Sequence, residues 1–128
     1  MKSLADARYI SLATWRRSGR EVRTPVWFVA TSADTFFCFS AADAGKVKRL
    51  RNSSRVQVAS CDARGGSLGE WLKARAFLVV DDPVEIIRTY TLLREKYGLQ
   101  MAITNVMSRL SGRINKRIVI RIELDGAQ

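Results

Sequence analysis

The sequence predicts a mainly β, α+β fold, with six antiparallel strands closing into a small barrel, a short basic helix between them and one or two flanking helices. Three observations predict it. Six segments of strand composition are separated by loops of hairpin length. The order is three strands, a short helix, two strands, helices and a last strand, which lacks the regular strand–helix alternation of a parallel sheet. Six strands with one apolar face can close on themselves, which removes the exposed edges of an open sheet. The 128 residues fit one domain, 1–128, large enough to bury a core without a disulfide or metal staple.

The elements follow in order. Tyr9–Trp15 has strand composition, and Arg16-Arg17-Ser18-Gly19-Arg20 reads as a hairpin loop in which Gly19 is free to take positive φ. The returning strand covers Glu21–Thr31. Pro25 lacks a ladder donor, so the strand is expected to bulge there or to lie at an edge. After the turn Ser32-Ala33-Asp34 comes a third strand, Thr35–Ser40. A short basic helix spans Ala44–Asn52, with Asp43 as its expected N-cap and Val47 and Leu50 as its apolar pair. Arg55–Cys61 is the fourth strand, Asp62–Gly69 a Gly-rich loop, and Trp71–Val80 the fifth strand.

The clearest helix comes next. Asp82 can cap it, Pro83 suits its first position, Glu85 is placed for a capping box, and Gly98 closes it. Ile86, Tyr90, Leu93 and Tyr97 recur at helical spacing and give it one buried face. A second amphipathic stretch carries Ile103, Val106, Met107 and Leu110 at i, i+3, i+4, i+7. The last strand alternates Ile118, Ile120, Ile122 and Leu124 with Val119, Arg121 and Glu123.

Composition narrows the chemistry. Lys plus Arg number 22 against 12 Asp plus Glu, a net +10, which points to an anionic ligand, nucleic acid or an anionic membrane surface. There are no histidines, which removes His-based zinc sites, His general bases and Ser-His or Cys-His nucleophiles. Two cysteines, Cys38 and Cys61, read as small buried hydrophobes and are too few for a zinc ribbon, so no metal site is expected. The N-terminus has no apolar run of signal-peptide length, and no stretch approaches a membrane span. The expectation is a cytoplasmic protein with no membrane partner.

The informative segment is Ser40-Ala41-Ala42-Asp43-Ala44-Gly45-Lys46-Val47-Lys48-Arg49-Leu50-Arg51. A strand runs through small residues into a helix with a basic first turn. A helix N-terminus offers free N–H groups and a partial positive charge, Ala44 and Gly45 admit a close approach, and Lys46 and Ser40 can each reach a phosphate held there. From spacing alone the segment reads either as a phosphate site or as the solvated basic face of a helix. No Walker sequence and no Gly-x-Gly-x-x-Gly follows a strand. No carboxylate pair stands out as an acid–base couple, so no catalytic residue is assigned. This suits chemistry carried by a cofactor rather than hydrolysis or acyl transfer. Trp15, Trp27 and Trp71 lie on or at the start of strands, where packing and the lining of a pocket for a flat ring are the competing roles. Trp27, after Thr24-Pro25-Val26, is the candidate for the second.

Four segments taken in order, Thr24-Pro25-Val26-Trp27-Phe28, Phe37-Cys38-Phe39-Ser40, Asp43 to Leu50, and Asn52-Ser53-Ser54-Arg55-Val56, resemble the pyridoxamine-phosphate-oxidase-like split β-barrel family. The nearest likeness is to its actinobacterial branch that binds the deazaflavin coenzyme F420. The resemblance implies a homodimer with the cofactor in a groove at the interface. It implies that Thr24, Pro25, Val26 and Trp27 flank the ring system and that Phe39 and Ser40 contact the cofactor chain. It further implies that Gly45 and Lys46 take the phosphate while Lys48 and Arg49 lie near the acidic tail. The flavin mononucleotide (FMN) enzymes usually carry Arg-Lys at the phosphate helix; Gly45 stands here in place of that Arg, which argues against true pyridoxamine phosphate oxidase activity.

The resulting expectation is a cofactor-binding oxidoreductase that passes a hydride from reduced F420 to a small organic acceptor. The alternatives are an FMN-binding protein of the same fold, a non-enzymatic cofactor carrier, and, from a different class, a basic nucleic-acid-binding domain. The last would need a basic stripe interleaved with exposed aromatics, whereas the aromatics here sit in strand runs that read as buried.

Overall fold

The computed structural model describes residues 4–66, 69–112 and 116–125. A one-turn 3-10 helix, Leu4–Asp6, precedes seven strands and three helices. The strands are β1 (Tyr9–Trp15), β2 (Glu21–Val26), β3 (Phe28–Ala30), β4 (Thr35–Ala41), β5 (Arg55–Cys61), β6 (Leu72–Val79) and β7 (Arg117–Leu124). The helices are α1 (Gly45–Asn52), α2 (Pro83–Tyr97) and α3 (Leu99–Leu110). All pairings are antiparallel, and the sheet order is β2-β1-β5-β6-β7-β4-β3.

Seven strands replace the expected six because the strand over Glu21–Thr31 breaks at Trp27. The cause lies in α2. The Phe28 N–H donates to the Tyr97 hydroxyl at 2.9 Å, and the Phe28 carbonyl accepts from Lys96 Nζ at 2.9 Å. The Phe28 N–H and C=O are thus served by side chains of α2 at the break. Val26 ends β2 at one edge of the sheet order and Phe28 begins β3 at the other, so the two edges must meet and the sheet is rolled. Pro25 lies exposed on β2, the edge position in the strand order expected of a residue with no N–H to give.

The alternation along each strand makes two cores. Ile10, Leu12, Phe28, Phe36, Cys38, Ile120 and Ile122 fill the interior. Val29, Phe37, Val79 and Val119 point outward beneath Leu93 and Tyr97 of α2 and Met101 of α3. Helix α1 packs on β1 and β6 and buries Val47 and Leu50, the latter within the inner core. Burying an aliphatic side chain of that size stabilises the fold by ~1.5–3 kcal/mol. Cys38 and Cys61 are both free and buried, as their apolar surroundings predict.

Two end signals fare differently. Asp82 caps α2, accepting the Glu85 N–H at 3.1 Å, and Gly98 closes the helix at φ +53°. The other half of the expected capping box does not form, because the Glu85 carboxylate pairs with Arg88 at 2.8 Å. Asp43 does not cap α1. The helix opens at Gly45 with Ala44 as its cap and no side-chain bond to its free N–H groups. The apolar stretch on α3 is amphipathic but faces outward: Leu99, Ile103, Val106, Met107 and Leu110 are between 55% and 80% exposed. Its polar residues Thr104, Asn105 and Ser108 turn toward the barrel instead, where they hold Arg117.

Candidate functional site

The inward-facing residues at the end of β4 and the first turn of α1 form the candidate site. Ser40 follows Cys38 on the inner side of β4 and is buried, its hydroxyl donating to the Ala41 carbonyl at 3.2 Å. Lys46 is half-buried, near enough to Cys38 for its charge to act on the thiol. Burial lowers the Lys46 pKa, Cys38 acts in the opposite sense, and the charge of Arg49 lowers it further. Burial drives the Cys38 thiol up to about 12, so it stays protonated. Lys46 has no hydrogen-bond or ion-pair partner among the described residues. A desolvated cation without a counter-charge weakens the fold unless something outside the chain supplies one.

Gly45 has a different role from the one its small size suggests. The guanidinium of Arg49 lies over it, with Nη1 2.8 Å from where a Cβ would stand. Arg49 Nε donates to the buried Thr14 hydroxyl at 2.6 Å. Burial, aided by the charge of Arg16, lowers the Arg49 pKa. The space beside Gly45 is therefore filled by the chain itself. Arg49 faces a cleft of about 290 Å³ that it shares with Arg16, Arg17 and Arg55; no carboxylate lines this cleft among the described residues. Arg55 lies over the Trp15 ring at 3.9 Å.

Lys48 is exposed and looks elsewhere, into a cleft of about 540 Å³ lined also by Ala42, Asp43, Arg51 and Lys116. Lys48 and Arg49 thus serve separate clefts, as residues one position apart on a helix must.

The remaining predicted residues lie on or beside the rolled seam, but they do not converge on one surface. The pairing of Phe28 with Cys38 brings the Val26–Trp27 break close to the end of β4. Val26 is buried in the inner core. Thr24 is half-buried, its hydroxyl donating to the Leu12 carbonyl at 3.4 Å. Pro25 is exposed. Trp27 stacks on Tyr97, with ring centroids 4.8 Å apart and planes at 16°, so packing against α2 occupies one face of the indole. Phe39 points away from Ser40, as alternation along a strand requires, and meets Tyr90 and Arg117 on the outer face. Trp15 and Trp71 each lie under an arginine, Arg55 and Arg23.

Arg16, Arg17 and Arg55, and likewise Arg94, Lys116 and Arg117, had no site role assigned from the sequence, although Arg55 stands in the Asn52–Val56 segment that carries the family resemblance. The first three come together because the β1–β2 hairpin and the start of β5 flank α1. The signal for Arg117 was the spacing of Thr104, Asn105 and Ser108 along one side of an amphipathic helix. Among the described residues no group of His, Cys, Asp and Glu could hold a metal ion, and no helix is long and apolar enough to cross a membrane.

Neither a scan against protein-family models nor a search of curated proteins finds a match. Solved structures do match over almost the whole chain. HutZ of Vibrio cholerae, a heme storage protein, is similar at TM-score 0.70 and 16% identity, over 95% of this chain and 84% of that one. An F420 reductase is similar at TM-score 0.59 and 18% identity, over 97% and 92%. A candidate pyridoxamine 5'-phosphate oxidase of Listeria innocua is similar at TM-score 0.58 and 15% identity, over 92% and 84%. At these identities the likeness is one of architecture, and it agrees with the rolled antiparallel sheet, the helix closing one end and the two outer helices. This chain has the split β-barrel fold of the pyridoxamine-phosphate-oxidase-like proteins.

Proposed function

We propose that the protein binds coenzyme F420 in a groove completed by a second copy of the chain and serves hydride transfer to a small organic acceptor. The observation that carries this reading is Lys46, a half-buried cation beside Cys38 with no counter-charge among the described residues. An anionic phosphate at the opening of α1 would supply that charge and meet the N–H groups that no side chain caps. Ser40 would add a hydroxyl. Lys48, Arg51 and Lys116 face one cleft and outnumber its single carboxylate, Asp43, which suits an acidic tail that extends beyond the phosphate. The cofactor supplies the hydride chemistry when bound; the chain supplies position, cations and a partly dry site. The neighbour named an F420 reductase supports the fold's capacity for such a cofactor. FMN is the second reading, since the same Lys46 and Ser40 would hold its phosphate.

Titration of the purified protein with F420 and, separately, with FMN, followed by absorbance and fluorescence, tests this directly. The expected result is saturable binding of F420 that is tighter than that of FMN and weakens with salt. Light scattering should give twice the chain mass. Tighter FMN binding would favour the second reading, and tight cofactor binding by a monomer would exclude the shared groove.

A further inference from the structure

We infer that the cleft between α2, α3 and the start of β7 is a second binding site, one that takes a small amphipathic carboxylate with an acyl or aryl body. The inference does not rest on F420 binding. The cleft holds about 530 Å³, within the ~300–1,000 Å³ of small-molecule sites. One wall is apolar, made by Val79, Ile86, Val119 and the ring of Tyr90, with Val80 at 62% exposure beside them. The other wall carries Arg94, Lys116 and Arg117, and no carboxylate lines the cleft among the described residues.

Arg117 is the strongest element. It is half-buried and held from several sides by neutral groups. Nη1 donates to Asn105 Oδ1 at 2.8 Å, and Nη2 donates to Ser108 Oγ at 2.6 Å and to the Thr104 carbonyl at 3.4 Å. Its guanidinium lies over Phe39 at 4.7 Å and near the Tyr90 ring at 5.9 Å. The orientation is fixed, yet no ion pair neutralises the charge among the described residues. A planar cation held by neutral acceptors at the wall of an apolar cleft keeps its charge unmatched, which suits an anionic head group such as a carboxylate.

Helix α3 adds a second, independent argument. It turns its polar face to Arg117 and leaves Leu99, Ile103, Val106, Met107 and Leu110 to solvent. Turning the helix over would bury that five-residue stripe at the cost of exposing Met101, so apolar burial alone does not favour the observed orientation. Holding Arg117 at the cleft wall does. The cleft also shares Ala42 and Lys116 with the cleft that Lys48 and Arg51 border, so a ligand here would lie next to the candidate cofactor site.

The test uses dansylated undecanoate as a fluorescent probe on the full chain, with decanoate and uncharged decanol as competitors. The expected result is a saturable signal displaced by decanoate, with decanol about tenfold weaker, the loss of one charge-assisted contact. Arg94→Glu with Lys116→Glu, both at exposed positions, should weaken the probe by at least about tenfold through reversed charge. Ile103→Ser with Leu110→Ser, on the solvent face of α3, should leave binding unchanged, as should Lys46→Ala. The inference is overturned by no saturable signal up to millimolar probe, by equal displacement by decanol, or by insensitivity to the charge reversals. A loss of binding that follows the α3 stripe or Lys46 would overturn it too, since the probe would then sit elsewhere.

Discussion

The hydroxyl of Tyr97 stands 2.9 Å from the backbone nitrogen of Phe28, across 69 positions of sequence, and takes its N–H at the point where the strand breaks. Burial pushes the Tyr97 pKa up to about 12, so the hydroxyl keeps its proton and donates to the Arg8 carbonyl at 2.7 Å. Replacing Tyr97 with Phe preserves the stack on Trp27 but leaves a buried N–H without its acceptor. The expected cost is ~1–3 kcal/mol, the range for an orphaned buried donor. Urea unfolding of the variant reads it; an unchanged midpoint would mean that the seam does not depend on this bond.

Lys96, beside Tyr97, predicts a pH dependence. Burial, with Arg8 adding to it, lowers its pKa from 10.5 to about 8. The folded state therefore disfavours the charged amine, and between pH 8 and 10.5 the unfolded chain binds more protons than the folded one. The Lys96 contribution to stability accordingly rises with pH across that window and is least favourable below pH 8. Urea midpoints of the wild type and Lys96→Met at pH 7.5 and about pH 9.5 isolate it. The wild type should gain relative to the variant on going to the higher pH, and a constant difference would refute the assignment.

Lys46→Ala should weaken F420 binding by ~1–3 kcal/mol, the scale of a charge-assisted contact, and the loss should shrink in high salt. Stability should hold or rise, because a partly desolvated ammonium without a partner is removed. Calorimetric titration at two ionic strengths measures the first effect and thermal unfolding the second. Unchanged affinity would identify α1 as a solvated basic face.

The separation of Lys48 from Arg49 sharpens the question of cofactor choice. Lys48→Ser with Arg51→Ser should reduce F420 affinity while sparing FMN, because only the longer ligand extends past Lys46 into their cleft. Paired binding isotherms on wild type and variant decide it. Equal losses for both cofactors would defeat the tail argument.

Strand alternation and the α2 caps were legible because each rests on short-range rules: a period of two, a carboxylate three positions before an N–H, a glycine at a helix end. The break at Trp27 was not, because its cause is a tyrosine 69 positions downstream of Phe28. The phosphate helix was legible as a basic turn after small residues. The position of Arg49 over Gly45 and onto Thr14 was not, since nothing local says which way a long side chain folds. Spacing found the apolar stripe on α3 but could not tell inside from outside. In the folded chain the inward side carries Met101 and the polar residues that meet Arg117, a residue that lies beyond the helix.

Strand β7, the latest in chain order, lies between β6 and β4 rather than beside its sequence neighbours alone. Until it arrives, β4 and β6 each present an unpaired row of N–H and C=O groups, and the inner core lacks Ile120 and Ile122. During synthesis the emerging chain therefore has two sticky borders that only its own last strand can cover. Slow addition of that strand, or a charge at Ile120 or Ile122, would leave them open to strands of other chains. For this topology the hazard of intermolecular pairing is concentrated in the interval before β7 is inserted, and the yield of correctly assembled protein should be governed by how quickly that insertion happens.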